Sequence, residues 1–324
     1  MIRPDEPPLK SILFFGALGR VAPAAIDYVR TAHPSVVLRV VTSDPAKLDA
    51  LQVRYPGAEA IVANFLDPDS IHRAFADMEA AFIVTPDFLD ETAAMTNVAD
   101  AVRASGRIRH IVRLLGDLPN MTLERVTAKL RSYGGGTATQ HFAARAVLEA
   151  PDLPVTFLNS AAYFIDDLMG WLQPVRDIRT LVIPYDRLAA FIDPRDIGEI
   201  AARIFTRPDR QRFTHLHFDM DNGQDLMRFS ELAELISAVI GVPVKYDDTL
   251  ETHMRVAAPL YARWGPCGAE YYADFYAFEQ YNDAAFHLTD FAERTLGRKP
   301  VTVRQWLEEH RPILFPEGWE KASG

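Results

Sequence analysis

Five short apolar runs alternate with four segments of helical spacing over the first third of the chain, and this alternation constrains the fold more than any other feature. The runs fall at Ile12–Phe15, Val36–Val41, Ala58–Val62, Ala81–Val84 and Ile108–Leu115. Between them, Ala22–Thr31, Ala46–Tyr55, Asp69–Met78 and Thr92–Ser105 carry helical patterning. Strands separated by helices of ten to fifteen residues must pair in parallel through right-handed crossovers. The chain is therefore predicted to be α/β, a Rossmann-type doubly wound parallel sheet. A sixth strand is expected at Val155–Asn159, after a loop over 131–140 and a helix from His141 to about Ala150. The dinucleotide-binding core is placed at residues 1–160. A smaller C-terminal α/β region, 161–324, is expected to cover the substrate side, with about 187–205 returning to the core.

The first strand runs into Gly16-Ala-Leu-Gly19-Arg-Val-Ala22 and then a helix. In a dinucleotide turn the first glycine bends the chain, the second admits the pyrophosphate, and the third lets helix and strand pack closely. Gly16 and Gly19 fill the first two roles, and Ala22 is small enough for the third. Phosphate would sit on the N–H groups of residues 19–21 at the helix N-terminus, where the helix dipole favours an anion. Pro23 lies where its missing N–H costs nothing.

Charge and cysteine content remove other classes. A formal net charge of -10 repels phosphate backbones, so nucleic acid is not an expected partner. The lone cysteine, Cys267, allows no intrachain disulfide and no cysteine-built zinc site. Neither an apolar signal core in MIRPDEPPLK nor an eighteen-residue apolar run is present, so a cytoplasmic protein with no membrane partner is expected. His215, His217 and Asp219 share one strand face, but solvent-facing alternation accounts for them and no metal is expected.

Several stretches together resemble the NmrA-like branch of the atypical short-chain dehydrogenases, which includes isoflavone reductases and NADPH-sensing regulators. They are Phe15–Ala22, Glu59–Asp67, His141–Glu149, Phe157–Ile165, Phe191–Ile197 and Thr289–Pro300, in order along nearly the whole chain. The resemblance implies a nicotinamide dinucleotide, NAD or NADP. Gly16, Leu18, Gly19, Arg20 and Val21 would hold its pyrophosphate, and Ser43 and Asp44 would face the adenosine ribose. Asn64 and Phe65 would lie near the adenine, and Thr85 and Pro86 would flank the nicotinamide. Asp44 tilts the expectation toward NAD, because a carboxylate accepts from a ribose 2′-OH and repels a 2′-phosphate. Its alternative role is an N-cap before Pro45.

The chemistry departs from the ordinary short-chain pattern. No tyrosine is followed four residues later by lysine, and the fifth strand ends at Gly116 where many relatives carry serine. His141 stands where isoflavone-reductase-like enzymes place a catalytic lysine. Arg145 lies one turn further on the same face. His141 as proton donor and Arg145 as oxyanion partner is one reading; a helix cap and a loop tie is the other. Tyr163, Trp171, Trp264 and Tyr272 would line a pocket for an aromatic or hydrophobic small molecule. The aromatic stripe of 261–291 would equally serve core packing or a homodimer. The expected function is an NAD(P)-dependent reductase. A dinucleotide-binding redox sensor without catalysis is the main alternative, and a non-redox isomerase or lyase the third.

Overall fold

The computed structural model describes residues 6–261, 265 and 267–319. Its first six strands are β1 (Ser11–Phe14), β2 (Val37–Thr42), β3 (Glu59–Val62), β4 (Ala80–Ile83), β5 (His110–Leu115) and β6 (Val155–Ser160). Six more follow: β7 (Tyr163–Phe164), β8 (Thr180–Val182), β9 (Leu188–Ile192), β10 (His217–Met220), β11 (Leu226–Arg228) and β12 (Lys245–Asp247). Seven of them form one sheet in the order β10-β6-β5-β4-β1-β2-β3, every pair parallel. This is the doubly wound arrangement expected from the alternation, and the strand order reverses between β1 and β4. Ligands in such sheets bind in the crevice at that reversal, beyond the strand carboxyl ends.

Parallel strands are covered on both faces, so they read as near-continuous apolar runs. β5 and β6 are buried at every position. Ile12, Phe14, Val112 and Leu114 pack under the helices Ala22–Ala32 and Pro194–Thr206. Leu13, Phe15, Ile111 and Leu115 pack on the opposite face, against the helices Pro68–Phe75, Glu91–Ser105 and Thr137–Leu148.

The C-terminal part divides differently from the expectation. The helix Pro194–Thr206 does return to the core, but β9 pairs with β7 and β11 in a separate three-stranded sheet. β10, beyond the expected return, is the strand that joins the main sheet, lying parallel to β6. The predicted loop over 131–140 is also corrected. Ala128–Ser132 is helical, and the following helix begins at Thr137, four residues before His141. Gly136 makes that early start possible: its φ is +84°, and a Cβ there would sit 2.4 Å from the Tyr271 ring. The Tyr271 hydroxyl then accepts the Ala138 N–H at 2.8 Å.

Candidate active site

The glycine turn has the geometry that a pyrophosphate requires. Gly16 lies at φ +69°, a region that side chains disfavour, and a Cβ on it would come within 2.6 Å of Val84 Cγ1. The Gly19 N–H closes the turn onto the Gly16 carbonyl at 2.8 Å, so it serves the turn and not an anion. The helix Ala22–Ala32 that follows has no side-chain cap at Val21, which leaves its first N–H groups to a ligand. A 430 Å³ hollow beside the turn is lined by Leu18, Gly19, Arg20, Asp27, Arg54 and Arg195, among others. A dinucleotide phosphate fits this cradle.

Ala22, in the third-glycine position, is completely buried. The close approach that a third glycine would permit is made by the neighbouring helix instead. A Cβ on Gly198 would lie 2.3 Å from the Val21 carbonyl oxygen and 2.9 Å from the Ala25 nitrogen. Arg20 does not project freely over the turn. Its Nε donates to Asp166 Oδ2 at 2.7 Å, it pairs with Asp167 at 2.9 Å, and it lies 4.8 Å over the Phe164 ring. The two adjacent carboxylates thus converge on one guanidinium.

After β2, Asp44 accepts the Ala46 N–H at 3.0 Å and caps the short helix Pro45–Lys47, with Ser43 just before it. Asn64 closes its own turn by accepting the Leu66 N–H at 3.0 Å. Phe65 stacks on Phe15, ring centres 4.5 Å apart.

The carboxyl ends of β4, β5 and β6 hold a buried polar group that sequence reasoning missed. Arg113 and Glu91 are both buried and pair at 2.9 Å. Thr85 donates to the same Glu91 oxygen and accepts from Arg113 at 2.7 Å. Thr85 and Pro86 therefore stand beside an ion pair. A basic residue inside an apolar strand run, with an acid at the start of the preceding helix, was the available signal.

His141 is buried against this pair. Burial, then the charge of Arg113, lowers its pKa to about 3, so its imidazole is neutral at physiological pH. A Cβ at Gly116 would lie 3.1 Å from His141 Nε2. The imidazole thus occupies the space where a residue-116 side chain would stand. Arg145 donates to Glu149 at 2.7 Å, one turn along its own helix.

Of the expected substrate residues, Tyr272 belongs to this end of the sheet. Its hydroxyl donates to Asp87 Oδ2 at 2.9 Å, and Thr137 donates to Asp87 Oδ1 at 3.2 Å. Tyr163 and Trp171 instead meet edge-to-face, 5.5 Å apart, in the core of the C-terminal region against Phe229. There the Tyr163 hydroxyl donates to Glu279 and accepts from buried Arg187 at 2.8 Å. Trp264 lies outside the described residues. Among the described residues no three metal-ligating side chains come together; His217 and Asp219 stand 3.9 Å apart at the sheet edge. Nor is any described helix long and apolar enough to cross a membrane.

The profile of the NmrA-like family matches residues 8–261. The chain belongs to the NmrA-like family. A (4-alkanoyl-5-oxo-2,5-dihydrofuran-3-yl)methyl phosphate reductase from Streptomyces griseus is 25% identical over 307 residues, 94% of this chain and 100% of the relative. The NADPH-dependent quinone oxidoreductase of Escherichia coli, solved with NADPH, superposes with a TM-score of 0.74 at 18% identity, covering 92% of this chain and 99% of its own. A negative transcriptional regulator, NmrA, solved with NADP, superposes at 0.71 with 16% identity and 98% coverage of both chains.

Proposed function

We propose that this NmrA-like protein is an NAD(P)-dependent reductase of a small aromatic or hydrophobic organic molecule. The observation that carries this reading is the juxtaposition of an open phosphate cradle at β1 with a buried polar group at the ends of β4 and β5, under an aromatic helix. A sheet that only carried a structural turn would have no use for an ion pair, a neutral histidine and Tyr272 at the same edge. Reductase relatives support the same reading. When bound, the dinucleotide supplies or takes up a hydride. Gly16, Leu18, Val21 and the first turn of the helix Ala22–Ala32 would hold its pyrophosphate, with Arg20 at the rim. Ser43, Asp44, Asn64 and Phe65 would hold the adenosine, and Thr85 and Pro86 the nicotinamide end. Asp44 brings a carboxylate to the ribose, which favours NAD(H).

At the reacting end, His141 offers a neutral imidazole that hydrogen-bonds a substrate without changing charge. Arg145 contributes positive field while held by Glu149. Tyr272, fixed by Asp87, lines the substrate side. A sensor without turnover is the second reading, and the pairing of Arg145 with Glu149 favours it. The deciding experiment titrates purified protein with NADH, NADPH and their oxidised forms, then follows reduced-dinucleotide absorbance with quinones, azo compounds and enones. Binding plus turnover establishes the reductase; binding without turnover across the panel leaves the sensor; no binding overturns both.

A further inference from the structure

Four buried side-chain atoms with no hydrogen-bond partner belong to groups clustered at the carboxyl ends of β4 and β5: Glu91 Oε2, Arg113 Nε, His141 Nδ1 and Asp117 Oδ2. Leaving such an atom unpaired in the interior is costly. Four in one neighbourhood mark a place built for more than packing. Arg113 is the hub: it bonds Glu91 directly, and its charge acts on both His141 and Asp117.

Asp117 is the member best placed to exchange a proton. It follows β5 by two residues and is 6% exposed. Its backbone is clamped by Asn159, which accepts the Asp117 N–H at 2.7 Å and donates to the Asp117 carbonyl at 3.0 Å. The same Asn159 amide donates to Asp219 at 2.7 Å. The backbone is thus fixed while one carboxylate oxygen is left without a partner. The charged groups that act on Asp117 are Arg113 from β5, Arg145 from the helix Thr137–Leu148, and Asp219 from β10. His141, on that helix, is neutral.

We propose that Asp117 is the proton donor of this site, its carboxyl releasing the proton to the substrate atom that turns basic as the neighbouring carbon takes up a hydride. This rests on the reductase reading above. Burial, reinforced by Asp219 and opposed by Arg145 and Arg113, pushes the Asp117 pKa up to about 7, where an acid works best near neutral pH. The neutral His141 cannot supply a proton as an imidazolium. The balance is simple: a C–H bond forms from the hydride of a reduced nicotinamide dinucleotide and the substrate π bond breaks. The oxygen or nitrogen takes the Asp117 proton, leaving a carboxylate. That carboxylate recovers its proton from solvent before the next turnover.

The binding test needs no known substrate. An ionised Asp117 attracts the positively charged oxidised nicotinamide ring, whereas a protonated one does not. The ratio of oxidised to reduced dinucleotide affinity, measured by fluorescence titration from pH 5.5 to 8.5, is therefore expected to rise with a midpoint near 7. Asp117→Asn should flatten that dependence while leaving reduced-dinucleotide affinity within about threefold. Asp219→Asn should move the wild-type midpoint downward. With 2-methyl-1,4-naphthoquinone as acceptor, kcat of Asp117→Asn should fall about 100-fold. A pH-independent ratio in the wild type, or an unmoved midpoint in Asp219→Asn, overturns the assignment and leaves the reductase reading standing. Absence of any dinucleotide binding overturns the reductase reading itself.

Discussion

Replacing Gly198 with alanine should damage the nucleotide site from the far side of the helix Ala22–Ala32. The added methyl would lie 2.3 Å from the Val21 carbonyl oxygen, 2.9 Å from the Ala25 nitrogen and 2.9 Å from the Ala24 Cβ. Two of those atoms are backbone, so no side chain can swing aside. Restoring ordinary contact requires the two helices to part by about 1 Å, judged from normal non-bonded separations. Overpacking of this kind costs about 1–3 kcal/mol. The better helix propensity of alanine returns about 1 kcal/mol of that, so the net loss should be about 0–2 kcal/mol. The displaced helix end is also the end that carries the phosphate-binding N–H groups. Losing one charge-assisted bond there, at about 1.5–3 kcal/mol, should weaken dinucleotide binding by about tenfold or more. Melting curves and fluorescence titration measure the two effects separately. Ala22→Gly is the control, expected to lower stability by about 1 kcal/mol with near-native binding. If Gly198→Ala melts and binds like the wild type, the argument that Gly198 supplies the close helix contact is wrong.

Three further outcomes follow from the same geometry. His110 and His141 are both held near a pKa of about 3 by burial, with Arg210 and Arg113 respectively adding to the effect. A depressed folded-state value means that their contribution is present above the ordinary histidine value of about 6.5 and drains as pH falls toward 3. Melting temperature should drop steeply across that window, and His110→Val should shallow the drop; an unchanged profile in the variant would remove His110 from the account. Arg113→Met should cost about 3–5 kcal/mol by stranding Glu91, while Arg113→Met with Glu91→Leu should recover most of it, as denaturant titration of the double-mutant cycle would reveal. Asp44→Asn keeps the cap on Pro45–Lys47 and removes the charge, so the NADPH-to-NADH affinity ratio should rise about tenfold on titration. An unchanged ratio would mean that Asp44 does not read the ribose.

Much of the fold was legible because the sheet is parallel and buried. Runs such as Ile12–Phe15 and Ala81–Val84 have no other stable reading between helical segments, and the glycine turn marked the end of the first strand. The later strands were harder. β9 is wholly apolar and β10 is mixed in character, yet it is β10 that pairs with β6, and nothing local in either run announces that choice. The loop expected at 131–140 shows the same limit, since Gly134–Gly136 reads as flexible until Tyr271, over a hundred residues away, fills the space beside Gly136. In the site, residue type pointed to His141, but its protonation depends on burial and on Arg113, which meets it only in three dimensions. Asp117 gave no motif, because its properties come from burial and from the Asn159 clamp.

The position of β10 bears on how the chain is made. β6 ends at Ser160 and its partner β10 begins at His217, so the edge of β6 stays unpaired while the intervening residues are synthesised. At roughly 5–20 residues per second that interval lasts about 3–11 s, during which an apolar strand such as Val155–Leu158 is a template for another nascent chain. Expression yield should therefore respond to translation speed across this interval more than across the first six strands, and a chain cut before His217 would hold its dinucleotide cradle on a sheet with one side permanently open.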